Sequence, residues 1–113
     1  MFQDKRLHKR IDVRSRGLMG LMGDEHPVAI VDMSAGGIAL HADKRLAIGR
    51  EYTMHLHNQG SRIDVQGTII RSRMVDTSQS SNGHMAPVYA AALKLQEGLE
   101  DRVADFIYET LLV

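Results

Sequence analysis

Residues 62–69 alternate: Ile63, Val65 and Ile69 are apolar, and Arg62, Asp64, Gln66 and Thr68 are polar. A period of two puts the two sets on opposite faces of an extended strand. Residues 50–58 repeat the pattern, with Tyr52, Met54 and Leu56 on one face and Thr53, His55 and His57 on the other. Asn58-Gln59-Gly60-Ser61 between them is a hairpin turn signal. The chain is therefore committed in its middle to antiparallel pairing.

The flanking segments extend this reading. Val28 to Met33 is almost wholly apolar, and Ile38 to Ala42 follows directly after Gly36-Gly37. Tyr89, Ala91, Leu93 and Leu95 form a last alternating set. Residues 12–22 are a less regular, glycine-bearing strand candidate, and residues 74–86 read as a polar loop. From Gln96 onward the spacing changes: Leu99, Val103, Phe106, Ile107 and Leu111 define one face of an amphipathic helix over about 97–112. About six short strands followed by one helix point to a small antiparallel barrel or sandwich, with the helix covering an open end.

Composition narrows the function. Without cysteine there is no disulfide, thiolate zinc site or cysteine nucleophile. Tryptophan is also absent, so the core must be aliphatic, filled in part by seven methionines. No apolar stretch is long enough for a signal peptide or membrane span, so a cytoplasmic protein without membrane insertion is expected. The formal net charge is zero, which by itself argues against an anion binder. The distribution reverses that argument. Residues 1–16 carry six basic and two acidic side chains, a net of +4, whereas residues 97–113 carry five acidic and one basic, a net of −4. The acidic tail is explained as the wet face of the helix, with carboxylates near its positive end. The basic head remains a candidate anion site.

Two motifs carry chemistry. Arg6-Leu7-His8-Lys9-Arg10 is an Arg-x-x-x-Arg preceded by Lys5. Two planar guanidiniums can clamp a phosphate or grip the O6/N7 edge of guanine. Asp32-Met33-Ser34-Ala35-Gly36-Gly37 is an Asp-x-Ser-x-x-Gly at a strand junction. A carboxylate there can accept from the Watson–Crick N–H donors of guanine. The serine can donate to a ligand or fix the turn, and glycines admit close approach. Taken singly, each motif reads more readily as ordinary structure, a solvated terminus or a turn.

In this order, and with the apolar strand, barrel and terminal helix around them, the motifs resemble the PilZ domain family over nearly the whole chain. The resemblance implies a six-stranded antiparallel β-barrel (residues 12–113) and a flexible basic arm (residues 1–11) that bind the second messenger cyclic di-GMP, with no catalytic role. By the same resemblance, Arg6 and Arg10 hold phosphates and guanine edges, Asp32 and Ser34 read a guanine, and Gly36 and Gly37 let the ligand pack closely. Lys5 sits where a basic residue goes with binding of an intercalated ligand dimer. Arg71 or Arg73 is the candidate to stack on a base. The arm, ordered by ligand, then signals to a downstream protein. Two other readings stay open: a small barrel that binds nucleic acid, and a PilZ-like adaptor without ligand. His55-x-His57 suggests a metal pair, but no third ligand is identifiable nearby, so no metal site is assigned.

Overall fold

The computed structural model describes residues 10–14, 16–23, 26–79 and 85–111. Seven strands are followed by one helix: β1 (Ile11–Asp12), β2 (Met19–Met22), β3 (His26–Ser34), β4 (Gly37–Ala42), β5 (Glu51–Asn58), β6 (Ser61–Gln79), β7 (Met85–Leu95) and α1 (Glu100–Phe106). Every pairing is antiparallel. The order β3-β2-β5-β6-β7-β4 returns to β3 through the β3–β4 pairing, which closes a six-stranded barrel. The two-residue β1 adds to the far half of the β3 edge that β2 uses, so no long edge is left there.

The central hairpin forms where the sequence signals it. Asn58 pairs with Ser61, and Gln59 and Gly60 both adopt positive φ, the geometry of a tight two-residue turn. The segment at 12–22 is not one strand: the chain leaves β1 after Asp12, turns through Gly17 at φ +75°, and re-enters the sheet at Met19.

The expected loop at 74–86 is largely strand. β6 runs on to Gln79, and β7 begins at Met85, with Asp76 opposite Val88 and Thr77 opposite Pro87. Backbone pairing here overrides a polar side-chain composition. β5 pairs with β6 only as far as Thr68, and β4 pairs with β7 only as far as Tyr89, so this ribbon extends past both neighbours.

The barrel interior is aliphatic. Met33, Ile38, Leu40, Met54, Leu56, Val65, Ile69 and Leu93 are all essentially inaccessible, each worth about 1.5–3 kcal/mol on burial. Met22, Met33 and Met54 fill this core, but Met19 and Met74 are exposed, so the methionines are not all core-filling. Val103, Phe106, Ile107 and Leu111 join the same cluster from the C-terminal segment, as their spacing anticipates. That segment is shorter and less regular than expected. Gly98 sits at φ +93°, its N–H donates to the Glu100 carboxylate, α1 starts at Glu100, and Ile107–Leu111 widens into a π-helical turn. Arg16 caps its end by donating from Nη1 to the Leu111 carbonyl at 2.8 Å. Among the described residues no helix is long and apolar enough to cross a membrane.

Candidate functional site

β1 and β3 align two carboxylates directly across from each other, Asp12 opposite Asp32. Like charges in register are destabilising unless compensated. Compensation comes from the arginines two residues to either side of Asp12, Arg10 and Arg14. Arg14 takes Asp12, donating from its backbone N–H at 3.0 Å and from its guanidinium, and these bonds hold the Asp12 carboxyl down at about 2. Arg10 takes Asp32, donating from Nε to Oδ1 at 2.5 Å. This second pair is only partly exposed, 48% for Arg10 and 29% for Asp32.

Asp32 owes its position to a β-bulge. Pairing with β4 slips between Ile30 and Asp32, leaving Val31 as the extra residue. Ile30 and Met33 both point into the core across this slip, and Asp32 is turned outward between them. Ser34, at the end of the strand, is 96% buried, with 4% of its surface exposed. Its Oγ accepts the Gly36 N–H at 3.3 Å, which fixes the turn into β4 and leaves the hydroxyl hydrogen to donate. Gly37 is there for proximity and not for an unusual φ. A Cβ on it would lie 3.2 Å from the Leu93 carbonyl oxygen and 3.6 Å from Arg10 Nη1. The guanidinium of Arg10 therefore reaches over a bare backbone.

A second bulge, at Ile70 between Ile69 and Arg71, does on β6 what Val31 does on β3. Ile69 stays in the core, while Ile70 and Arg71 face outward, Ile70 with 54% of its surface exposed. The two bulges flank an open cleft of ≈ 530 Å³ on the outside of the barrel. Arg10, Asp32, Ser34, Gly36, Gly37 and Arg71 all line it. Its floor is made of small residues, with Ala39 opposite Ala92 and Ala92 opposite Arg71.

Of the residues singled out in the sequence, six thus meet in one cleft. Arg73 does not line it, and Lys5 and Arg6 lie outside the described residues. Sequence reasoning missed Ile70 and Lys94, which also line it. Lys94 was in principle accessible: it is the outward residue between Leu93 and Leu95, but only the register sets it beside Gly37. His55 has a different use, with Nδ1 2.7 Å from Asp64 Oδ1. That contact, with Arg62 behind it, lowers the Asp64 carboxyl below its ordinary value. Among the described residues no group of three or more metal-ligating side chains comes together.

Chemically, the cleft offers charged donors, one carboxylate acceptor and a flat floor, the requirements of a planar anionic ligand with hydrogen-bonding edges. The PilZ domain family matches residues 4–109. Among solved structures the chain is similar to the PilZ domain with c-di-GMP of YcgR from Escherichia coli, at 11% identity and a TM-score of 0.66, covering 90% of this chain and 88% of that one. No curated protein matches.

Proposed function

From the premise that this chain belongs to the PilZ domain family, we propose that it is a receptor for cyclic di-GMP and that the cleft beside β3 and β4 is where the ligand sits. The observation that carries the reading is the Arg10–Asp32 pair poised over Gly37, a donor fork and an acceptor held side by side above a bare floor. Only Nε of Arg10 and Oδ1 of Asp32 are used in the pair. The outer nitrogens of Arg10 remain to grip a phosphate or a guanine O6/N7 edge, and Oδ2 of Asp32 remains to accept from guanine N1–H and N2–H. Ser34 donates its hydroxyl hydrogen. Arg71, and not Arg73, lays its guanidinium plane against a base.

Arg6 and Lys5 complete the set from the segment that precedes Arg10, with Lys5 favouring an intercalated dimer of the ligand. Fixing that segment costs about 1–2 kcal/mol per residue, so it closes only when several charge-assisted contacts form together. Its closure is the signal presented to a downstream protein.

Calorimetric titration with cyclic di-GMP tests the reading. The parent protein should bind, and Arg10→Ala should lose about a hundredfold or more in affinity, since a charged hydrogen-bonding partner is removed and Asp32 is left facing an anion. The pair is partly exposed, so the variant should melt within about 5 °C of the parent. A parent that ignores cyclic di-GMP but binds single-stranded RNA would overturn the proposal in favour of a nucleic-acid barrel.

A further inference from the structure

We propose that Lys94 is a phosphate-binding residue of the cleft, a cation that works beside those of the arginine motif. The inference rests on the cyclic di-GMP reading and adds a residue to which neither motif points.

Lys94 lies on β7 with Gly37 as its partner on one side and Thr68 on the other. Lys94 is exposed and is one of the residues that line the cleft next to the glycine floor. The other two cations of the cleft have assignments: Arg10 is tied through Nε to Asp32, and Arg71 is the candidate base platform. Lys94 alone of the three is unassigned. Among the described residues no carboxylate holds it in an ion pair, although Glu51 and Glu97 line the smaller hollow on its other flank.

Charge supports the same conclusion. Arg10, Arg71 and Lys94 against Asp32 leave the described cleft with an excess of two positive charges. Cyclic di-GMP carries two phosphodiester charges. With Arg6 and Lys5 of the proposed site added the excess becomes four, the charge of an intercalated ligand dimer, and without Lys94 it falls to three. An ammonium on a flexible stem suits this task, because a phosphate oxygen asks for a point charge and not for a planar fork. Small neighbours leave the path clear: Gly37 and Ala92 put no bulk between the stem and the floor.

The test is a titration of the full chain with cyclic di-GMP at several salt concentrations. Lys94→Gln should weaken binding by about tenfold. It should also make binding less sensitive to salt, a shallower slope of log Kd against log salt, because one screened charge contact is lost. Lys94→Arg, which restores the charge, should recover most of the affinity. Lys44→Gln, the same charge change on an exposed residue outside the cleft, should stay within about twofold of the parent. The proposal is overturned if Lys94→Gln binds like the parent with an unchanged slope, or if Lys44→Gln loses as much. A parent that does not bind cyclic di-GMP removes the underlying reading, whereas a binding parent with an indifferent Lys94→Gln removes only this assignment.

Discussion

Two glycines at the β7 surface should respond to alanine in opposite ways. Gly37 begins β4 and its φ is not positive, so alanine meets no conformational penalty there. Its new methyl would sit 3.2 Å from the Leu93 carbonyl oxygen, a contact relieved by a shift of a few tenths of an ångström. Replacing glycine also removes unfolded-state freedom worth about 0.4–1 kcal/mol. The two effects oppose each other, so Gly37→Ala should leave stability within about 1 kcal/mol, a melting shift of no more than about 5 °C. Binding is another matter. The same methyl stands 3.6 Å from Arg10 Nη1, in the lane through which a ligand reaches that guanidinium. Loss of one good bidentate contact is worth about 1–3 kcal/mol, so affinity for cyclic di-GMP should fall at least about fivefold. Gly67 is the contrast. A methyl there would lie 2.7 Å from both Leu93 Cγ and the Lys94 carbonyl oxygen, closer than a Cβ can approach, so the strand pair itself must shift. Gly67→Ala should cost about 1–3 kcal/mol from overpacking and melt clearly lower. Differential scanning calorimetry and titration of the two variants give the comparison. A Gly37→Ala protein that binds like the parent refutes the seat over Gly37. One that melts as low as Gly67→Ala refutes the packing argument.

Other outcomes follow from the same geometry. Arg71→Ala should weaken cyclic di-GMP binding about fivefold or more through loss of a stacked cation, while Arg73→Ala, outside the cleft, should change it less than about twofold by titration. Asp64 is held below its ordinary pKa by the His55 bond and by Arg62, so its contribution to stability is present above the unfolded carboxyl value and is lost as pH falls through the lowered folded value. Asp64→Asn should flatten that acid limb in melts recorded from about pH 2 to 7, and at neutral pH it should cost no more than about 1 kcal/mol because the pair is 43% exposed on the aspartate side.

What was legible in the sequence was whatever depends on local period or local chemistry. The alternation of Ile63, Val65 and Ile69, the Asn58–Ser61 turn and the helical spacing of Val103, Phe106, Ile107 and Leu111 all recur in the structure. So does the meeting of Asp32, Ser34 and Gly37 with Arg10, since a strand end and a turn fix three of them locally. What escaped was set by partners. A bulge is two residues counted against one on another strand, so neither Val31 nor Ile70 announces itself. The strand status of Met74 to Gln79 depends on the returning chain. The choice of Arg71 over Arg73, and the appearance of Lys94, depend on register across three strands. The π-helical turn keeps the same buried face as an α-helix would, so hydrophobic spacing does not distinguish them.

The ribbon made by the far halves of β6 and β7 has the proportions of a lever. Its root is the Ile70 bulge, with Arg71 and Ala92 in the cleft, and from there β6 continues to Gln79. At about 3.3 Å per residue the arm is about 25 Å long. A tilt of about 5° at the root, small enough to pass as side-chain adjustment around a ligand, carries the tip through about 2 Å. A distance probe on that tip would therefore magnify any tilt at the root without occupying the cleft.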